Sequence, residues 1–137
     1  MFEINFKYRE KESRIFGTVK RPLIDIEIFS EVDNKWYLIE DILADSGADV
    51  SVLPYNQSLL FVKNIEMGEE TELMGIVPYV KITAYLHNLK MRINTEEFTA
   101  PVAIAESDDV PPILGREGAI NKFSFIFDKG FELKIMR

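Results

Sequence analysis

The sequence predicts an all-β fold, a barrel or a sandwich of short strands, and three observations carry that reading. Apolar residues recur at every second position along much of the chain, which is the pattern of a strand with one buried face. Turn residues break that pattern at spacings of roughly 8 to 12 residues, as they do in sandwiches and barrels. Helix signals are sparse: residues 116–123, "REGAINKF", offer a short helix near the C-terminus and residues 54–60 a single turn, and neither is well capped.

The elements follow in chain order. The first 20 residues are placed only loosely by this pattern. In "PLIDIEIF", residues 22–29, Ile24, Ile26 and Ile28 share one face while Asp25 and Glu27 share the other, so this is a half-buried strand. Asp33-Asn34 supplies a turn, and "KWYLIEDILA", residues 35–44, completes a hairpin that delivers the chain to Asp45. In "YVKITAYL", residues 79–86, Val80, Ile82, Ala84 and Leu86 again oppose Lys81, Thr83 and Tyr85. Turn-like gaps at His87-Asn88 and at residues 94–97 set off "KMRI" and "FTAPVAIA" as further strands. "FSFIFDKGFELKI" reads as a terminal hairpin whose loop, Asp128-Lys129-Gly130, ends in a residue free to take positive φ. Phe123, Phe125 and Phe127 alternate on one face and are expected in the core. A chain of 137 residues without repeat or linker is expected to form a single domain over 1–137.

Composition removes several classes of function. Without cysteine there are no disulfides and no thiolate metal sites. The one histidine, His87, is expected to be solvated at a turn, a histidine metal cluster is impossible, and neither a metal nor an organic cofactor is implied. With 23 acidic against 16 basic residues the net charge is -7, the wrong sign for a surface that tracks phosphates, so nucleic acid is not an expected partner. Glu66, Glu69, Glu70 and Glu72 are expected to form a solvated loop. No segment approaches the roughly 20 apolar residues of a membrane helix, so no membrane partner is expected and a cytoplasmic location is the default. Serine-hydrolase elbows and phosphate-cradling loops are both missing from the sequence.

One stretch does carry chemistry. "ILADSGADVSVLP", residues 42–54, sends an apolar strand directly into Asp45, although burying a charge is costly. A calcium loop fails, because the closing glutamate such a loop requires falls, counted from Asp45, on Asn56. A helix N-cap is a fair structural reading of Asp-Ser-Gly, but the β-branched "ADVSVLP" that follows makes a poor helix. A second stretch, "VPPILGREGAI" at residues 110–120, runs two aliphatics, Ile113 and Leu114, into Gly115 and Arg116. That reads as a buried strand end followed by a close backbone approach.

Taken together, Asp-Ser-Gly-Ala-Asp and Ile-Leu-Gly-Arg, about 70 residues apart, resemble the retroviral-type, or retropepsin-like, aspartyl proteases. "RPLIDIEIF" is similar to the strand before the catalytic hairpin of that family, and residues 85–128 are similar to the second half of its bacterial and archaeal members. The resemblance covers about residues 20–136. It implies an acid-protease barrel with one short helix near the C-terminus, working as a homodimer. It puts Asp45 on the catalytic aspartate and Ser46 on the hydroxyl that bonds across the dimer. Gly47 and Ala48 fall on the catalytic loop, and Asp49 and Arg116 on the pair tying that loop to the segment threaded through Gly115. It also places the substrate-covering flap at residues 72–82, with Gly75, Ile76, Val77, Pro78 and Tyr79 at its tip. Here Val77 and Pro78 replace the glycines usual in the family, and proline fixes φ and removes a donor. Ile76, Val77, Tyr79 and Ile113 are the expected subsite walls.

Hydrolysis of a peptide by carboxylates takes two of them around one water, one ionised and one protonated. Only Asp45 is followed by Ser/Thr-Gly in this chain, so the second carboxylate is expected from another copy, across a two-fold axis. The expected function is an aspartic endopeptidase acting on extended polypeptide. The alternative is a catalytically silent dimeric module that keeps the groove for peptide binding or assembly, a reading favoured by the Val77-Pro78 tip. A glycosidase using Asp45 and Asp49 would leave Leu-Gly-Arg unexplained.

Overall fold

A computed structural model of the chain describes residues 2–75 and 79–137. The alternation of Ile24, Ile26 and Ile28 against Asp25 and Glu27 forms β4 (Leu23–Phe29), its isoleucines fully buried. β4 turns back through residues 31–34, where Asn34 takes φ 58°, into β5 (Trp36–Ala44). The register slips between them: Ile24 faces Ile42 but Ile26 faces Ile39. The extra residue makes a bulge that bends β5, and Asp41 sits in the left-handed region there at φ 60°.

A seven-stranded sheet runs in the order β4, β5, β10 (Ile113–Leu114), β6 (Ser51–Leu53), β9 (Glu96–Ala105), β8 (Lys81–Ile93), β7 (Glu69–Met74). Pairing of β4 with β8 closes it into a barrel. Most neighbours are antiparallel, but the two-residue β10 lies parallel to β5, and β6 lies parallel to β9. The barrel interior holds the main core: the isoleucines of β4 with Phe61, Ile65, Ile93, Val102, Ile104 and Leu114. A second layer packs on it, in which β1 (Glu3–Lys7) pairs with β12 (Glu132–Met136), which pairs with β11 (Ser124–Asp128). β2 (Arg9–Ser13) and β3 (Gly17–Arg21) form a two-stranded hairpin of their own. The helix α1 is one turn, Tyr55–Ser58. The short helix expected near residues 116–122 is a turn over 116–119 followed by a 3₁₀ turn, Ile120–Lys122. Gly118, at φ +69°, shapes that turn, and a Cβ there would meet the Ala100 Cα at 3.0 Å.

Four expectations are corrected. His87-Asn88 is not a turn: β8 runs unbroken from Lys81 to Ile93 because β9 pairs with it residue for residue, His87 opposite Val102 and Asn88 opposite Pro101. His87 is therefore half-buried rather than solvated, its Nε2 lying 2.7 Å from the Ile65 carbonyl oxygen. The glutamates are exposed but do not form a loop, since Glu69, Glu70 and Glu72 lie on β7, which pairs with β8, and Glu66 lies on a 3₁₀ turn. Phe123 and Phe125 pack half-buried at the edge of the core, whereas Phe127 is exposed toward the end of β11, a strand with β12 on only one side. Among the described residues no helix is long and apolar enough to cross a membrane.

Candidate active site

The site is built where β5 ends. β10 lies beside it in parallel, Leu114 opposite Ala44, and the Asp45 N–H donates to the Leu114 carbonyl at 3.0 Å. One residue earlier, the Ala44 N–H donates to the Pro22 carbonyl at 3.0 Å. The chain then reverses, the Ala48 N–H reaching the Asp45 carbonyl at 3.2 Å. This turn leaves Asp45 half-buried, with its Oδ1 accepting the Gly47 N–H at 2.9 Å. A Cβ on residue 47 would lie 3.2 Å from that same oxygen, so the glycine keeps the carboxylate uncrowded.

The stretch around Gly115 threads beneath this loop. The Arg116 N–H donates to the Ala48 carbonyl at 3.0 Å and the Glu117 N–H to the Asp49 carbonyl at 2.9 Å. The Arg116 guanidinium adds a bond from Nη1 to the Ser46 carbonyl at 3.0 Å and another from Nη2 to Asp49 Oδ1. Asp45, Ser46, Gly47, Ala48, Asp49, Gly115 and Arg116 are thus brought together by main-chain bonds and one ion pair. That pair sits at the surface, the Asp49 side chain being 84% exposed, so its value lies in fixing geometry rather than in net stability. The Ser46 side chain is exposed at the tip of the turn.

Ser51 also belongs to this assembly, although its sequence context did not single it out. It is buried, and its Oγ accepts the Gly115 N–H at 2.9 Å. The available signal was a lone hydroxyl on a strand, β6, whose three residues are all buried.

Beside the loop opens a groove of about 500 Å³. Gly47, Ala48, Asp49 and Val50 bound it on one side and Leu73, Met74 and Gly75 on the other. Its floor is aliphatic: Val52, Ile82 and Ile113, resting on the buried Ala84, Ala103 and Ala105. Of the expected subsite walls, Ile113 does line the groove; Tyr79 does not and is 85% exposed. Ile76, Val77 and Pro78 lie outside the described residues. Val50, Val52, Val80, Ile82 and Val110, which do line it, were not anticipated. An open trough of this kind, walled by apolar side chains with a carboxylate at its margin, suits an extended chain with alternating side chains.

No protein-family model matches this chain, and no curated protein does. Among solved structures it is similar to a retropepsin-like aspartic protease from Rickettsia conorii, with a TM-score of 0.64 and 17% identity, over 98% of this chain and 90% of that one. It also aligns with EIAV protease complexed with the inhibitor HBY-793, with a TM-score of 0.48 and 23% identity, over 71% of this chain and 83% of that one. The first likeness extends over nearly the whole of both chains, and the chain therefore has the all-β retropepsin-like fold.

Proposed function

We propose that this chain is an aspartic endopeptidase of retropepsin type, of the family's bacterial and archaeal branch, a single domain that acts as a homodimer. The reading rests on the half-buried Asp45 carboxylate, which does not itself line the groove but accepts the N–H of Gly47, a residue that does. Two Asp45 carboxylates facing each other across a two-fold axis hold one proton between them, because adjacent like charges do not both ionise. The ionised carboxylate takes a proton from a water whose oxygen attacks the peptide carbonyl carbon, and the protonated one gives its proton to the carbonyl oxygen. The tetrahedral gem-diol then breaks its C–N bond as the amine nitrogen takes the proton that the first carboxylate had gained from water, while the second carboxylate takes a proton back from one of the two hydroxyls. This leaves acid, amine and a pair that again holds one proton. Substrate lies extended in the groove, and no cofactor takes part.

The second reading, a silent peptide-binding module, draws on Val77 and Pro78 standing where the family has glycines. Incubating the purified protein with an unfolded protein and a peptide library, from acid to neutral pH, separates the two. The expected result is cleavage that disappears in Asp45→Asn while the dimer persists. Unchanged cleavage by that variant overturns the assignment, and binding without cleavage by the wild type favours the module.

A further inference from the structure

The β2–β3 hairpin takes no part in the site described so far. Among the described residues it pairs with no strand outside itself, and an isolated two-stranded hairpin is marginal in water. Its root is fixed: Arg9 Nη1 reaches Asp25 and Asp41, each at 2.7 Å, and Lys11 Nζ reaches Asp41 at 3.0 Å. Its tip is shaped as well, Ser13 Oγ accepting the N–H groups of Ile15 at 3.3 Å and Phe16 at 3.2 Å. The two side chains so presented are 83% and 74% exposed.

Two further observations indicate what covers them. Residues 9–21 hold five of the chain's 16 basic residues and two of its 23 acidic ones, so a hairpin of charge +3 stands on a remainder of charge -10. Arg14, Lys20 and Arg21 are exposed and form no ion pair among the described residues. The hairpin also leaves the barrel at the catalytic end: Arg21 precedes Pro22, whose carbonyl accepts the Ala44 N–H next to Asp45. The catalytic loop and the segment threaded beneath it carry the exposed acids Asp49, paired with Arg116, and Glu117, and the exposed Asp108 and Asp109 directly precede Val110 and Pro111 of the groove. A basic arm with an apolar tip and an acidic surface of the same chain are complementary.

We propose that the β2–β3 hairpin is an arm by which one copy of this chain grips a second, burying Ile15 and Phe16 against the acid-rimmed catalytic end of its twin. The inference rests on the two-subunit reading above. It adds a surface outside the barrel that sets how tightly the site is assembled, and so the concentration at which the protein is active.

Sedimentation equilibrium of the full chain tests it, alongside Ile15→Asp/Phe16→Asp and the charge reversal Arg14→Glu/Lys20→Glu, with circular dichroism as the check on folding. Both variants are expected to keep the wild-type spectrum while the dimer dissociation constant rises about tenfold or more. Raising salt is expected to weaken the wild-type dimer. A dimeric wild type with both variants dimerising equally well overturns the arm and leaves the protease reading standing. A wild type monomeric at every concentration overturns both. If the variants dimerise normally but lose a wild-type affinity for phosphatidylcholine–phosphatidylserine vesicles, the arm serves a membrane instead and the proposal fails.

Discussion

Gly115 is where the fold is least forgiving. A Cβ there would stand 2.5 Å from the Val50 carbonyl carbon and 2.6 Å from its oxygen, and main-chain atoms have no rotamer to escape into. Gly115→Ala must therefore push β10 from beneath the Asp45 turn, stretching the Leu114 and Ala48 carbonyl bonds that hold it. Overpacking of this kind costs on the order of 1–3 kcal/mol. The urea midpoint is expected to fall accordingly, and cleavage to fall by more than the unfolded fraction explains; a variant with unchanged midpoint would show that the loop has slack. The residues of this turn were legible in the sequence because their chemistry is unusual: a carboxylate off an apolar strand, a glycine before an arginine. Ser51 was not, because a single hydroxyl among valines reads as an ordinary strand residue until Gly115 is seen to donate to it. The groove walls were hidden for a related reason. Val50, Val52, Val80 and Ile82 obey the same alternation as core residues, and only barrel closure decides which apolar face is left open.

At the level of elements, alternation located β4, β5 and the start of β8 because each buries one face against the barrel interior. It failed at His87-Asn88, where local turn propensity yields to ten consecutive partners on β9. It was blind to β1, β2 and β3, whose pairing partners are a distant strand, β12, or each other. The charged outer face of β4 makes a testable demand. Arg92, on β8, forks onto Glu27 at 3.0 and 2.9 Å and holds its carboxyl below the usual carboxylate range. Asp41, at the bulge, is held low first by Arg9 and then by Lys11. A carboxyl whose folded pKa is depressed stabilises fully above its unfolded value, near pH 4, and that contribution disappears as pH falls through the folded value. The urea midpoint is thus expected to be flat from about pH 7 to 5 and to drop below about pH 4. Arg92→Gln removes the partner of Glu27 and is expected to lower the neutral midpoint and flatten the acid decline; an identical slope in that variant would show that the pair does not titrate with folding.

For the molecule as a whole, the decisive quantity is how many Asp45 carboxylates one working site contains. The chain supplies one aspartate in the Asp-Ser-Gly context, and water activation of the proposed kind takes two, so the proposed mechanism requires two subunits to meet at each site. Symmetry then makes each subunit's defect shared, because an isologous interface presents the same group from both sides. Mixing wild-type chain with an equal amount of Asp45→Asn, after subunits have exchanged, puts many wild-type chains into hybrid dimers with a single competent carboxylate. Random pairing then predicts that activity per wild-type chain falls to about half of the unmixed value, and further as the variant is raised in excess. Loss in this proportion, measured as peptide cleavage against mixing ratio, is the signature of one site shared by two subunits. Activity unchanged at every ratio would mean that each chain works alone, and would place the second catalytic group within the same 137 residues.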